Sequence, residues 1–162
     1  ICKFSDKTWD YIININLKTP FKMTKEVLPI MRKNNWGRII NISSVHGAIA
    51  SQFKAAYVSS KHGLVGLTKV VALETAKENI TCNAIAPGFV DTELVKKQIK
   101  KISKQKKISF QKASNSLIKE KHPSMNFIKK NDVSSLAFYL TTNEASQITG
   151  SNLIIDGGWT AQ

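Results

Sequence analysis

Acidic residues, cysteine, histidine and long apolar runs are all scarce in this 162-residue sequence, and each scarcity narrows what it encodes. No stretch approaches the roughly 18 uncharged apolar residues that a membrane-spanning helix needs, so no membrane partner is expected. The start, Ile1-Cys2-Lys3-Phe4-Ser5-Asp6, has neither the apolar segment nor the cleavage pattern of a secretory signal. Two cysteines make no disulfide framework, and thiols kept in a reducing compartment point to the cytoplasm. His62 and His122 share no ligand spacing with cysteines or acids, so no metal site is expected. An initiator methionine is absent. So is any Gly-rich loop after a first strand, the phosphate cradle by which a dinucleotide site is read from sequence. The expectation is the later part of a longer product.

Against 11 acids stand 24 lysines and arginines, a net charge of +13. Half of those cations fall between Leu94 and Lys130, where Glu120 is the sole acid, and all twelve are lysines. Without arginine that stretch lacks the planar fork that reads bases, and no nucleic-acid-binding motif accompanies it. Specific nucleic-acid binding is therefore not expected. A solvated lysine-rich surface is the plain reading, and a field that favours an anionic substrate or cofactor is the second.

With 42% apolar residues the chain has enough for a globular core. Ser5 caps a helix whose apolar positions Trp9, Ile13 and Leu17 recur every fourth residue, and Phe21, Val27, Leu28 and Met31 carry the pattern on, interrupted by Pro20 and Pro29. Asn34-Asn35-Trp36-Gly37 terminates it. Arg38–Ile42 and Ile80–Ile85 read as covered parallel strands, and Leu153–Ile155 as a third ending at Asp156-Gly157-Gly158. Between the first two lies a long helix from about Ala55 to Lys77, in which Gly63 and Gly66 would let another helix approach closely. The basic stretch reads as broken helix or a helical hairpin hinged near His122-Pro123, and Asp132–Leu140 as a short helix. This order gives an α/β fold class: the C-terminal part of a Rossmann-like, doubly wound parallel sheet flanked by helices. Residues 1–162 form a single partial domain lacking the N-terminal βαβ units, and its strands would present a hydrophobic edge unless something covers it.

Tyr57 and Lys61, four apart in a predicted helix, share a face. A neighbouring ammonium favours a phenolate, which moves a tyrosine from near 10 toward the range useful for general acid–base work. Ser44 follows the first strand at its carboxyl end, where such sheets gather reacting groups. Alone, Tyr-x-x-x-Lys also describes an ordinary surface pair.

The surrounding motifs add to this. Asn41-Ile42-Ser43-Ser44 ends thirteen residues before Tyr57, and Pro87-Gly88-Phe89-Val90-Asp91-Thr92 follows the next strand. With Asn16 in the preceding helix, this series resembles the catalytic half of the short-chain dehydrogenase/reductase family. The likeness is nearest to its bacterial D-3-hydroxybutyrate dehydrogenase branch and runs from Trp9 to Gln162. It is carried by Trp36–Ile42, Ser44-Val45-His46-Gly47, Lys54-Ala55-Ala56-Tyr57 and Asp156-Gly157-Gly158-Trp159.

The resemblance implies an NAD-dependent, reversible oxidation of D-3-hydroxybutyrate to acetoacetate. Tyr57 would exchange the alcohol proton, Ser44 would hydrogen-bond the substrate oxygen, and Lys61 would hold the cofactor ribose and bias Tyr57. Asn16 would hold a water on its main-chain carbonyl. Pro20, four residues on, has no N–H to occupy that carbonyl; a plain packing kink is the other reading. The likeness further implies that His46, Lys54 and Gln98 grip a small anionic hydroxy acid beside Trp159, under a lid formed by residues 94–130. Two potential cations and an amide suit a carboxylate, and an indole excludes water. Tyr57, Lys61, Pro87, Gly88, Val90 and Thr92 would meet the nicotinamide end of NAD. Asp91 and Glu93 depart from the apolar residue and proline expected there; they either weaken anion binding or point to solvent. A homotetramer is implied, with the two long helices and the residues from Gly157 to Gln162 at its contacts. The 162 residues alone are expected to be inactive. Two other readings stay open: a reductase of another small 3-oxo acid or acyl substrate, and a non-catalytic remnant or assembly partner.

Overall fold

The structure, a computed structural model, describes residues 1–161; Gln162, the end of the presumed assembly contact, lies outside them. Three parallel strands form the sheet: β1 (Gly37–Ile42), β2 (Ile80–Pro87) and β3 (Asn152–Ile155), in the order β1-β2-β3. Gly37 pairs with Ile80 at one end and Ile42 with Ile85 at the other, while Ala84 to Pro87 pair with Asn152 to Ile155. All three strands therefore end on the same side. Every residue of β2 is buried, as a central strand covered on both faces must be. Its one amide, Asn83, is satisfied: it donates to the Ile148 carbonyl (2.6 Å) and accepts from Ser151 N–H (3.1 Å), which pins the approach to β3.

Helices cover both faces. On one, α2 (Thr19–Lys33) and α3 (Ala55–Glu74) bury Leu28, Val71 and Ala72 against Ile39, Ile80 and Cys82. On the other, α6 (Lys130–Thr141) sets Leu140 against Ile85. The basic stretch is a helical hairpin, α4 (Glu93–Lys106) and α5 (Phe110–Lys121), broken where Lys107 adopts a left-handed conformation. It has a small core of its own, with Ile99, Ala113 and Leu117 packed by Phe89, Val95 and Ile108. Helix α3 stops at Glu74, short of the expected Lys77, because the Thr75 hydroxyl turns back to the Val71 carbonyl and the chain closes into β2.

The first helical segment departs most from its pattern. Helix α1 (Asp6–Ile13) passes through a π-helical turn, Asn14–Lys18, into α2 without a break in the chain's direction of coiling. Thr19 N–H bonds the Asn14 carbonyl five residues back, and the Thr19 hydroxyl donates to the same oxygen at 2.9 Å. The wide turn precedes Pro20, whose missing N–H would have left a gap in an α-helical ladder. It also seats Leu17 against Gly63, where an added Cβ would come within 2.8 Å of the Leu17 side chain. Gly63 has the close-approach role expected of it; Gly66 faces open space. Val65, on the same helix, is buried. Among the described residues no helix is long and apolar enough to cross a membrane, and no cluster of three potential metal ligands forms.

Candidate active site

Because the three strands end together, the segments leaving them meet. Ser43 to Gly47 follow β1, Gly88 to Thr92 follow β2, and Asp156 to Trp159 follow β3. With the start of α3 and the inner face of α4 they enclose a cleft of about 540 Å³. Ser44, His46, Lys54, Tyr57, Pro87, Gly88, Val90, Thr92, Gln98 and Trp159 all line it. Asn16 and Lys61 instead line a second cavity of about 400 Å³, beside the outer edge of β1. Lys61 joins the two. Its ammonium donates to the Ile42 carbonyl (2.8 Å) at the end of β1 and lies 5.7 Å from the Tyr57 ring centroid. Burial lowers its affinity for the proton. The Asn16 side chain is held by the Ser60 hydroxyl at 3.1 Å.

His46 is the most constrained polar group of the cleft. Its amide donates to Ser44 Oγ (3.2 Å), its Nδ1 lies 3.4 Å from the same oxygen, and its Nε2 lies 2.9 Å from Ser51 Oγ. The Tyr57 and Trp159 rings meet the imidazole edge-on, at 5.7 and 5.6 Å. Burial, then Lys54, Lys121 and His62, lower its pKa to about 4. From the sequence alone His46 is a potential cation. In the fold it is a neutral hydrogen-bonding group at ordinary pH, and Lys54 remains as the cation on the cleft wall.

The His46 shift has a consequence for stability. An unfolded histidine takes its proton near 6.5, the folded one only near 4, so the unfolded chain binds more protons between those values. The contribution is complete above 6.5 and lost as pH falls toward about 4. The unfolding temperature is expected to be level at neutral pH and to fall across that window, and His46→Gln should flatten part of the fall. An unchanged acid limb in the variant would assign the loss to other groups.

Val90 bears on whether a nicotinamide fits. It forms a parallel bridge with Ile128, made by Ile128 N–H to the Phe89 carbonyl (2.9 Å) and Asp91 N–H to the Ile128 carbonyl (2.9 Å). Neither the N–H nor the C=O of Val90 itself takes part in that bridge. A donor and an acceptor side by side on the cleft wall match the two ends of a primary carboxamide, so these residues fit the group. Thr92 caps α4, accepting from Val95 N–H at 3.4 Å, which leaves its own hydroxyl proton to donate. Asp91 and Glu93 are exposed and share Lys96, at 3.7 and 3.2 Å. They face solvent and each other's lysine.

Two contributors were not legible as such. His122 is fully buried. Phe89 N–H donates to its Nε2 (3.0 Å), which assigns the ring proton to Nδ1 and makes that atom the donor to the Asn126 carbonyl (2.9 Å). Its ring stacks on Phe89, and Phe89 on Trp159. Gly88 is a glycine because a Cβ there would meet His122 Nε2 at 2.6 Å. Asp156 is the second. Burial alone would raise its pKa, but the Thr160 hydroxyl and the amides of Thr160 and Gly158 outweigh that and hold it below the usual carboxylate range. It thereby shapes the turn that presents Trp159.

A family model described as enoyl-(acyl carrier protein) reductase matches residues 1–160. The D-beta-hydroxybutyrate dehydrogenase of Rhizobium meliloti is 47% identical over 159 residues, 98% of this chain. The chain belongs to the short-chain dehydrogenase/reductase family. Solved members of the family share its fold. A 4-hydroxyisoleucine dehydrogenase mutant complexed with NADH and succinate superposes with a TM-score of 0.87 at 37% identity, over 99% of this chain and 63% of that one. An actinorhodin polyketide ketoreductase variant with NADPH gives 0.92 at 31% identity, over 99% and 62%. The chain spans 62% of the length of the Rhizobium meliloti family member.

Proposed function

We propose that this chain is the catalytic portion of an NAD-dependent dehydrogenase that oxidises D-3-hydroxybutyrate reversibly to acetoacetate. The observation that carries the reading is the convergence of Ser44, His46, Lys54 and Tyr57 on one cleft at the carboxyl ends of the strands. Tyr57 takes the proton of the substrate alcohol in oxidation and returns it in reduction. Ser44 donates a hydrogen bond to the oxygen as charge develops on it. Lys61, anchored on Ile42, keeps positive charge beside the Tyr57 ring and has further N–H groups for a ribose hydroxyl. The Asn16 carbonyl holds a water behind it. NAD bound there would supply a hydride acceptor for the carbinol carbon. Val90 main chain and the Thr92 hydroxyl, on the turn that Pro87 and Gly88 form, would hold its carboxamide.

At the other end, Lys54, neutral His46 and Gln98 bind the carboxylate, and Trp159 closes the apolar side. Gln98 projects from α4, so residues 94–130 act as the cover of the site. The relative that holds succinate accommodates a small carboxylate on the same fold. The exposed Phe21, Met23 and Ile30 of α2 and Val70 and Leu73 of α3 support a tetrameric enzyme, in which such faces are paired. The adenine and pyrophosphate of NAD would be bound by βαβ units outside these residues, and the 162 residues alone would not turn over substrate.

Lys54→Ala tests the assignment in the full-length enzyme. The KM for 3-hydroxybutyrate is expected to rise by roughly 10-fold or more, the cost of a charge-assisted hydrogen bond, with little change in cofactor binding. For the neutral methyl ester the same substitution should matter little. Equal losses on acid and ester would remove Lys54 from the carboxylate site and favour an acyl substrate.

A further inference from the structure

Two nitrogen-bearing side chains from separate segments meet one indole, and a third lines the same cleft. His46 comes from the turn after β1, Lys54 from the residue before α3, and Lys121 from the last turn of α5. The Trp159 ring meets the His46 ring edge-on at 5.6 Å, and Lys121 Nζ lies 5.7 Å from its centroid. Trp159, His46 and Lys54 line the cleft, and among the described residues no carboxylate does. Among the described residues the one acid paired with Lys121 is its chain neighbour Glu120, at 2.9 Å, and that carboxylate is 66% exposed. Such a pair contributes little and exchanges readily.

Among the described residues positive charge is thus brought together without a counter-charge in the cleft. Burial, then Lys121, depresses the pKa of Lys54, and Lys121 also disfavours the cation of His46. An arrangement in which cations oppose one another is relieved when an anion enters among them. The flexible stem of Lys121 needs only to turn its ammonium from Glu120 toward the cleft mouth, along the Trp159 face on which it already lies. The eleven other lysines between Leu94 and Lys130 have no such ring beneath them among the cation–π contacts of the described residues.

We infer that Lys121 is a specificity-determining residue for the substrate carboxylate, reaching it from α5 while Lys54 reaches it from α3. The inference rests on the carboxylate reading proposed above and extends it to a residue of the basic hairpin. One anion held between the two lysines would also tie the α4–α5 hairpin to the body of the fold. The substrate class selected is a short acid with its carboxylate at the cleft mouth.

The test is equilibrium binding to the full chain, followed through the indole N–H signal of Trp159 and the ring signals of His46. The probes are 3-hydroxybutyrate and its methyl ester. The parent should prefer the acid, Lys121→Gln should weaken acid binding at least fivefold while leaving the ester unchanged, and Lys121→Arg should restore most of the loss. Lys119→Gln, an exposed lysine on the same helix, should bind as the parent does. If the parent prefers the acid and Lys121→Gln binds it equally well, the inference on Lys121 is overturned and the carboxylate site stands without it. If the parent shows no preference for the acid, the carboxylate reading itself fails and this inference fails with it.

Discussion

Tyr57→Phe in the full-length enzyme is expected to lower turnover by roughly 10²–10⁴-fold, the usual worth of a positioned proton-transfer group. Cofactor affinity should stay within about twofold of the parent, since no group that would bind the cofactor besides the phenol oxygen is removed. The ring is retained, and with it the edge-on contact to His46 at 5.7 Å and the Lys61 ammonium at the same distance from its centroid. Packing should therefore change little, and an unfolding temperature near that of the parent is the control. Steady-state rates with 3-hydroxybutyrate and a cofactor titration separate the two effects. An unchanged turnover number would show that another group handles the proton, and Ser44 would be the first to examine.

The second large effect falls on stability. His122→Ala removes a fully buried ring that two main-chain groups depend on, Phe89 N–H at Nε2 and the Asn126 carbonyl at Nδ1. The variant leaves a cavity beside Phe89 and Trp159 and two polar groups without partners. Each contribution is unfavourable, and together they are expected to cost about 3–5 kcal/mol. For a chain of this size that corresponds to a fall in unfolding temperature of roughly 6–20 °C. His122→Gln, which keeps an acceptor within reach of Phe89, should recover part of it. Thermal unfolding of both variants is the measurement. A loss below about 1 kcal/mol in His122→Ala would mean that water replaces the ring without difficulty.

These two residues mark how far the sequence could be read. Tyr57 was legible because its signal is local: a helix places residue i beside i+4, and Ser44 and Lys61 stand at short, fixed distances along the chain. The strands were legible for the same reason, since β2 is apolar or small nearly throughout and is covered on both faces. His122 was passed over as a histidine without ligands. Its partner Phe89 lies 33 residues away, and nothing in either neighbourhood announces that the two meet. Histidine 46 was recognised, but its charge was not, because neutrality comes from burial and from lysines that only the fold brings near. Lys121 was one of twelve alike in a basic stretch until Trp159 was placed beneath it. The prolines signalled an interruption in the first helix but not its form. Pro29 sits inside α2, whereas Pro20 follows a π-turn.

That π-turn leaves the segment one residue to spare. A π-turn holds one residue more than an α-helical turn, and each residue advances a helix by about 100°. The faces that α1 and α2 present, one toward α3 and the cleft, the other carrying Thr24 and Leu28 inward, are thus offset by a single surplus residue. Losing any one residue between Asn14 and Lys18 would let the turn close to α-helical geometry, so the helix on either side keeps its bearing. Leu28 would stay on the sheet, and Arg32 would keep its reach to Glu78. A single in-frame codon deletion there is consequently a lighter lesion than the same deletion elsewhere in α1 or α2, where no surplus residue takes it up.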